Sequence, residues 1–338
     1  MNFVTGATGL LGAHLLFKLC SEKQEVKAVY RSEERIQNVK KLFIHYDPVG
    51  GELLFHSIRW MKGDILDISF LDRSIEPNDK VYHCAAMVSF DAKDFHLLIK
   101  VNREGTENVV NTCLAKGVSK LCHVSSTAAV GTNSVGLISE EDQWKKTPKT
   151  SAYSISKFNA ERAVWRGISE GLNAVIINPC VILGAGNWEE SSLAIFKTVS
   201  KGVSYYPPGA NATVDARDVA EAMYRLMESE IHSERFLCVG SNQKFRDLIA
   251  EIARHTNTKK PKKQAKLWQI NTVYYLSSIV SFFTRKRPAI TRDNINNLFA
   301  TKIYSNKKLK KAVKMEFRPL KEQVKNGVQG RLDQSQNS

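Results

Sequence analysis

The chain has few cysteines, and their spacing matches no metal or disulfide pattern. A zinc site needs cysteines or histidines at short fixed spacings, and a disulfide framework needs many cysteines in a short chain. The 338-residue sequence instead scatters its six cysteines, mostly within apolar stretches. They are Cys20, Cys84, Cys113, Cys122, Cys180 and Cys238. The sequence therefore predicts reduced, buried thiols and no metal site.

The chain also lacks a secretion signal and a long apolar run. A signal peptide begins with a basic segment followed by an apolar stretch, whereas residues 2–5 have the composition of a strand. The apolar run over residues 267–283 contains several polar side chains, and it is short for a membrane span. We therefore expect a cytoplasmic protein.

Acidic residues are scarce only in the C-terminal quarter. Residues 1–257 contain 30 basic and 30 acidic side chains, whereas residues 258–338 contain 19 and 4. The run at 267–283 lies between basic segments and predicts either a lid helix over a substrate pocket or an interfacial helix. In the second case, residues 258–287 would make weak contact with an anionic membrane surface. No base-reading motif accompanies the lysines of 307–311, so we expect no sequence-specific nucleic acid binding.

A glycine-rich turn follows the first predicted strand. Gly6, Gly9 and Gly12 lie between a predicted strand at residues 3–5 and a predicted helix at residues 13–19. Glycines at such a turn permit the tight bend, the close approach of a pyrophosphate and close packing of helix on strand. The helix N-terminus then offers free amide groups and a positive dipole end. The turn therefore predicts a dinucleotide-binding site.

The end of the second predicted strand indicates which dinucleotide binds. This strand covers residues 25–30 and is followed by Arg31 and Ser32. NAD sites usually present an acidic residue here to the ribose hydroxyls, whereas an arginine suits a 2′-phosphate. Arg31 therefore favours NADP. NAD stays open, because Arg31 would equally suit a solvated surface position.

Further predicted strands lead small or polar residues to one edge of the same sheet. The strands cover residues 58–62, 80–84 and 120–124, and a long helix over 95–116 carries Asn102. In an open parallel sheet the carboxyl ends of the strands border the ligand. The residues expected there are Asp64, Ile65, Ala85, Ala86, Met87, Ser125, Ser126 and Thr127.

Beyond these strands the pattern becomes irregular. A sixth strand over 174–179 ends at Pro179, and residues 235–239 predict a late strand. Residues 214–228 predict a helix that begins at Val214. Earlier in the chain, residues 48–51 predict a turn because they contain proline and two glycines.

Residues 153–157 read Tyr-Ser-Ile-Ser-Lys and lie within a predicted helix. A spacing of four places Tyr153 and Lys157 on one helix face. The pKa of a free tyrosine is about 10, and a nearby fixed cation is expected to lower it toward the range useful for proton transfer. The pair therefore predicts a general acid or base, with a hydroxyl from the Ser125–Thr127 turn to hold the substrate oxygen.

Together, the glycine turn, the Ser-Ser-Thr turn and the Tyr-Ser-Ile-Ser-Lys helix resemble the extended short-chain dehydrogenase/reductase family over about residues 1–240. The resemblance implies an α/β fold, namely a Rossmann-type doubly wound parallel sheet with a smaller, discontinuous C-terminal substrate-binding lid. The polar composition of the last residues predicts a disordered tail. The expected units are 1–180 with about 212–240 for the nucleotide-binding domain, 181–211 with 241–326 for the lid, and 327–338 for the tail.

The resemblance also implies roles for individual residues. Tyr153 would be the acid or base, and Lys157 would bind the nicotinamide ribose and lower the tyrosine pKa. Thr127, with Ser126 as second choice, would hold the substrate oxygen. Family members often pair through the helices that here contain Asn102 and Tyr153, so a homodimer is expected. The other cofactor-binding positions implied are Gly6, Thr8, Gly9, Leu10, Leu11, Gly12, Arg31, Asp64, Ile65, Ala85, Ala86, Met87, Asn102, Pro179 and Ile182.

Within the family, Arg31 and the turn at 83–90 are closer to the dihydroflavonol-reductase and 3β-hydroxysteroid-dehydrogenase branch than to nucleotide-sugar epimerases. An epimerase typically carries an arginine shortly before the Val-x-Asp segment, where this chain has Ala212 and Thr213. We therefore expect an NADP-dependent oxidoreductase that acts on a small carbonyl compound or secondary alcohol. An epimerase or dehydratase with tightly bound NAD(P) is the alternative, and a non-catalytic dinucleotide sensor is a third.

Overall fold

The computed structural model describes residues 1–132, 136–272, 274 and 291–332. Its strands are β1 (Asn2–Thr5), β2 (Val26–Tyr30), β3 (Arg59–Lys62), β4 (Lys80–His83), β5 (Lys120–Val124), β6 (Ala174–Pro179), β7 (Val181–Leu183), β8 (Tyr205–Tyr206), β9 (Ala210–Asp215), β10 (Glu234–Cys238), β11 (Ser241–Lys244) and β12 (Lys263–Gln264). Seven of them form a parallel sheet in the order β10-β6-β5-β4-β1-β2-β3. This arrangement confirms the predicted α/β fold.

Helices connect the strands and cover both faces of the sheet. They are α1 (Leu10–Ser21), α2 (Glu33–Tyr46), α3 (Gly51–His56), α4 (Ile68–Ser74), α5 (Phe95–Leu98), α6 (Gly105–Lys116), α7 (Ala152–Ser169), α8 (Ala194–Ser200), α9 (Ala216–Glu228), α10 (Phe245–His255), α11 (Arg292–Phe299), α12 (Lys307–Val313) and α13 (Leu320–Gln329). A π-helical turn, Ile99–Glu104, joins α5 to α6. Residues 267–272 are also helical.

The apolar strands place alternate side chains into two separate layers of core. On β1, Val4 packs in the layer that contains α1 and α9, whereas Phe3 packs in the layer that contains α4 and α6. On β6, Ile177 and Ile176 divide in the same way. Because both faces of a parallel sheet are covered, its central strands read as continuous apolar runs rather than as alternating patterns. This is why β5 and β6 have the bounds predicted from the sequence.

One prediction about local structure was wrong. Val214 and Asp215 end strand β9 instead of opening a helix, and Asp215 caps α9 by accepting a hydrogen bond from the Arg217 amide at 2.9 Å. The turn predicted at 48–51 is present at residues 48–50 and leads into the short helix α3. The helix predicted at 95–116 has the predicted bounds, with the π turn in its first half.

A smaller sheet and the C-terminal helices cover one end of the main sheet. Strands β11, β9 and β7 form this second sheet, and α13 packs against α10 in the apolar cluster around Phe196. Residues 327–332 are ordered, which corrects the start of the predicted tail. They are held in place because the Trp188 indole donates to the Gly327 carbonyl at 2.9 Å and because Leu332 is buried. Residues 333–338 lie outside the described part, and the predicted domain limits remain a prediction.

Part of the predicted C-terminal apolar run also lies outside the described residues, namely 273 and 275–283. At its start, the side chains of Leu267 and Trp268 are exposed. Within the described ranges, no helix combines the length and apolar composition needed to cross a bilayer. All six cysteines are described and unpaired; five are buried and Cys84 is half-buried. Burial raises the pKa of the Cys122 and Cys180 thiols to about 12, so both stay protonated near neutral pH.

Candidate functional site

The candidate site lies at the carboxyl ends of β1, β4 and β5. The strand order reverses direction between β1 and β4, and ligands of open α/β sheets bind in the crevice at such a reversal. Gly6 follows β1, Ala85 follows β4 and Ser125 follows β5. The topology thus brings together three turns that are far apart in sequence.

The glycine turn has the shape of a phosphate cradle. Gly6 has a φ of +65°, and a Cβ atom there would lie 2.5 Å from the Ala85 nitrogen. A Cβ on Gly12 would lie 2.2 Å from the Gly6 carbonyl oxygen. Gly9 begins α1, and no side chain caps the helix there. The first amide groups of α1 therefore face the turn without a side-chain partner, which fits a pyrophosphate bound at a helix N-terminus.

Arg31 and Asp64 meet at the ends of β2 and β3. Arg31 Nη1 lies 3.7 Å from Asp64 Oδ2, and 70% of the arginine side chain is exposed. The other carboxylate oxygen of Asp64 accepts a hydrogen bond from the Leu66 amide at 3.0 Å. Asp64 is thus fixed by the backbone. The exposed guanidinium keeps most of its donors for another anion.

Asn102 holds the turn after β4 through the π-helical turn. The buried side chain accepts a hydrogen bond from the Met87 amide at 2.7 Å and donates to the Met87 carbonyl at 2.9 Å. It also donates to Ser156 Oγ, on the Tyr153 helix, at 2.9 Å. Ile65 packs against Gly105, where a Cβ would lie 2.4 Å from the isoleucine. These contacts fix the turn at Ala85–Met87 relative to α7.

The other predicted cofactor positions surround the same crevice. Thr8, Leu10 and Ile182 are half-buried, whereas Leu11 and Pro179 are buried. Leu10 packs on the apolar cluster of the second sheet. Pro179 ends β6 and pairs with Cys238 of β10. Of these residues, Leu10 and Ile182 join the main sheet to the smaller one.

Tyr153 lies in the first turn of α7, which Ser151 caps by accepting a hydrogen bond from the Ser154 amide at 3.1 Å. The Phe90 ring, from the turn after β4, lies 5.7 Å from the tyrosine ring. Burial raises the pKa of Tyr153, and a hydrogen bond with the Ser126 hydroxyl opposes that rise. Burial is the larger of these two effects, and Lys157 adds no lowering of its own, so the lowering of this pKa expected from the sequence is not found.

The two candidate hydroxyls after β5 have different partners. Ser126 lies close enough to the Tyr153 phenol to lower the pKa of the tyrosine, and its Oγ accepts a hydrogen bond from the Ala128 amide at 3.1 Å. Thr127 acts in the same way on the pKa of the buried Tyr304, near the C-terminus. These contacts favour Ser126 as the partner of the tyrosine, whereas the sequence favoured Thr127.

Lys157 is buried one turn after Tyr153, with 2% of its surface exposed. Its ammonium donates to the Val124 carbonyl at 2.8 Å. Burial lowers the pKa of Lys157 to about 8, and the negative charge of Glu161 opposes this effect. Lys157 therefore carries a proton at neutral pH in a site that is otherwise poorly solvated.

Glu161, one further turn along α7, was not identified from the sequence. Ser125 Oγ donates to its Oε2 at 2.6 Å, and Asn178 Nδ2 donates to the same oxygen at 2.8 Å. Arg235 Nη1 lies 3.1 Å from Oε1. A glutamate four residues after the lysine was the available signal, because that spacing places it on the same helix face.

A separate cavity of about 540 Å³ lies between α1, α9 and residues 314–318. None of the predicted site residues lines it. Its three arginines are already paired: Arg217 with Asp215, Arg225 with Glu221 and Arg318 with Asp218.

Comparisons with known proteins identify relatives of this chain. A sequence model of the NAD dependent epimerase/dehydratase family matches residues 2–239. A putative dihydroflavonol 4-reductase from Synechocystis is 25% identical over 300 residues, which cover 87% of this chain and 83% of the relative. Sterol demethylase protein B from Methylococcus capsulatus is 27% identical over 265 residues, which cover 77% and 76%.

Solved structures share the fold over nearly the whole chain. The Bordetella bronchiseptica enzyme WbmH, solved in complex with NAD⁺, superimposes with a TM-score of 0.72. The match covers 97% of this chain and 97% of that one at 18% sequence identity. At this identity the likeness establishes the fold.

Proposed function

Because the chain belongs to the NAD dependent epimerase/dehydratase family, and is thus an NAD(P)-dependent enzyme of the extended short-chain dehydrogenase/reductase type, we propose that it is an NADP-dependent oxidoreductase. The reaction is hydride transfer between the nicotinamide and a carbonyl or secondary alcohol of a small molecule. One observation carries the proposal: Ser126 and Lys157 lie close to Tyr153 at the end of β5, and the turn at Ala85–Met87, which is bonded to α7 through Asn102, packs against Gly6.

The residues present fit a dinucleotide. Gly6, Gly9 and Gly12 would hold the pyrophosphate at the start of α1, and Lys157 would hold the nicotinamide ribose. When bound, the cofactor supplies or accepts the hydride. In the reductive direction Tyr153 donates its phenolic proton to the substrate oxygen as that oxygen gains negative charge. The hydroxyl of Ser126 donates a hydrogen bond to the same oxygen.

The preference for NADP rests on Arg31. Its guanidinium is largely exposed at the end of β2 and lies 3.7 Å from the fixed carboxylate of Asp64. Such an arginine can turn toward a 2′-phosphate and bind it with two parallel hydrogen bonds. NAD enzymes usually carry an acidic residue directly at the end of β2. The Asp64 carboxylate would repel a 2′-phosphate less strongly than such a residue would.

The reductase is favoured over an epimerase by strand β9. Ala212 and Thr213 are buried, and Thr213 Oγ1 donates to Gln323 Oε1 at 2.7 Å. This segment therefore presents no cation to a sugar-nucleotide phosphate. The related proteins named dihydroflavonol 4-reductase and anthocyanidin reductase support the same choice. An epimerase or dehydratase remains the alternative and would consume no net NADPH.

The test is NADPH consumption with a panel of ketones and aldehydes, before and after Tyr153→Phe. Tyr205→Phe is the matched control, because Tyr205 is exposed and lies in the two-stranded β8–β12 sheet. We expect Tyr153→Phe to lose at least about a hundredfold in turnover while binding NADPH normally, because only the proton donor is removed. Unchanged turnover would refute the role of Tyr153. Tight binding of NADPH without consumption, even with sugar nucleotides, would favour the non-catalytic sensor.

A further inference from the structure

Residues 301–304 form an extended segment that turns alternate side chains inward. Thr301 and Ile303 are exposed, whereas Lys302 is half-buried and Tyr304 is buried. The segment is held on both sides: the Lys302 amide donates to the Ala210 carbonyl at 3.0 Å, and the Ser305 amide donates to the Ile138 carbonyl at 2.8 Å. Its alternation is therefore fixed by backbone hydrogen bonds.

The inward side of this segment faces the turn that follows β5. Tyr304, 5% exposed, lies close enough to Thr127, the neighbour of Ser126, for the threonine to lower its pKa. In an extended chain, residues i and i+2 point to the same side and lie about 7 Å apart. Lys302 therefore lies on the same side as Tyr304, one step farther from Ser126.

The Lys302 ammonium has fewer and weaker partners than the buried Lys27 and Lys120. Among the residues that the structure describes, its one hydrogen-bond partner is Asn297 Oδ1, a neutral oxygen 3.2 Å away. By contrast, Lys27 binds Glu76 at 2.9 Å and Asp79 at 2.8 Å. Lys120 donates to two carbonyl oxygens, at 2.7 and 2.6 Å.

Burial alone lowers the pKa of Lys302, so no described carboxylate offsets the cost of burying its charge. A half-buried ammonium has three donors and normally requires anionic or carbonyl partners. Two of the three donors of Lys302 have no partner among the described residues. An anionic group on the substrate would supply the missing partner.

We infer that Lys302 recognises the substrate through an anionic oxygen group, a carboxylate or a phosphate, held one strand step from the turn that follows β5. The inference rests on the proposed function, since it takes Tyr153 as the position of the reacting carbonyl. It narrows the substrate to a carbonyl compound with one negative group at its far end. A single lysine suits one such group better than a diphosphate, which usually meets several cations.

The kinetic test compares three aldehydes of similar size: 4-carboxybenzaldehyde, its neutral methyl ester and 4-formylphenyl phosphate. We expect the wild type to prefer an anionic aldehyde by about 10- to 100-fold in kcat/KM, the usual range for a charge-assisted hydrogen bond. Lys302→Met should remove the preference, and Lys302→Arg should retain most of it. Lys311→Met is the control, because it removes one charge from an exposed lysine. Whichever anion is preferred identifies carboxylate or phosphate.

A wild type without preference, or a Lys302→Met variant that loses activity equally on all three aldehydes, would overturn the inference. A binding arm separates this failure from that of the proposed function. Titration calorimetry with NADPH present compares terephthalate with neutral terephthalamide. If no aldehyde is reduced, the proposed function fails. Anion recognition would still be supported if the wild type binds terephthalate more tightly than terephthalamide and Lys302→Met abolishes that difference. Equal binding of the two compounds by the wild type would refute it.

Discussion

The adjacent hydroxyls of Ser126 and Thr127 allow a sharp test of the catalytic arrangement. Ser126 Oγ accepts a hydrogen bond from the Ala128 amide at 3.1 Å, and the Ser126 carbonyl accepts one from Asn178 Nδ2 at 3.0 Å. The hydroxyl thus accepts one hydrogen bond, and its proton is free to point at the phenol or at a substrate oxygen. The Thr127 hydroxyl instead acts on the pKa of Tyr304. The two side chains therefore differ in direction although they are neighbours in sequence.

We expect Ser126→Ala to lower kcat about 100- to 1,000-fold, the usual effect of removing a donor that faces a developing oxyanion. Thr127→Val should change kcat by no more than a few-fold, because its hydroxyl serves Tyr304. Both variants should lose about 1 kcal/mol of stability, Ser126→Ala through the lost turn cap and Thr127→Val through the lost hydrogen bond. The matched stability losses separate a catalytic effect from a structural one.

The assay is initial-rate NADPH consumption at saturating NADPH with the best carbonyl substrate, together with thermal unfolding of each variant. Ser126→Thr should recover part of the rate, because it restores the hydroxyl. Equal losses of kcat in the two variants would contradict the reasoning. A larger loss in Thr127→Val would return the role to the residue that the sequence favoured.

Three further predictions concern the cofactor site and its lysine. Arg31→Ala should raise the KM for NADPH about tenfold and leave the KM for NADH nearly unchanged, because one charge-assisted contact to the 2′-phosphate is lost. Equal changes in the two KM values would refute this role of Arg31. Gly6→Ala should weaken NADPH binding at least about tenfold, as measured by titration. Gly117, at a φ of +63°, has nothing within 4 Å of the position that a Cβ atom would take, so Gly117→Ala should cost only the backbone strain of about 1 to 3 kcal/mol, as measured by thermal unfolding. Lys157 has its pKa lowered from 10.5 to about 8 by burial, so the unfolded chain binds more protons between these values and stability rises with pH there. Relative to Lys157→Met, the wild type should gain about 3 kcal/mol in unfolding free energy between pH 8 and pH 10.5, and a constant difference would contradict the lowered pKa.

The sequence predicted the sheet and the cofactor loop because their signals are local. Strands β5 and β6 are apolar runs bounded by turns, and Gly6 and Gly12 stand where no side chain fits. The contacts that decide the site are long-range instead. Thr127 lies near Tyr304, and Arg235 meets Glu161, although the members of each pair are far apart in sequence. No spacing rule predicts such pairs, so the sequence offers no reason to prefer Ser126 to Thr127, and the partners of Glu161 and the position of Lys302 were missed.

The raised pKa of Tyr153 bears on the direction of the proposed reaction. Burial keeps the phenol protonated at neutral pH, and the protonated form is the one that reduction of a carbonyl consumes. Oxidation of an alcohol would need the phenolate, which the same burial disfavours. Ser126 acts against burial, since its hydroxyl stabilises negative charge on the oxygen left after proton transfer. Because burial is the larger effect, we expect the phenol to give up its proton only to a bound substrate, while the buried Glu161 favours the charged form of Lys157 on the same helix.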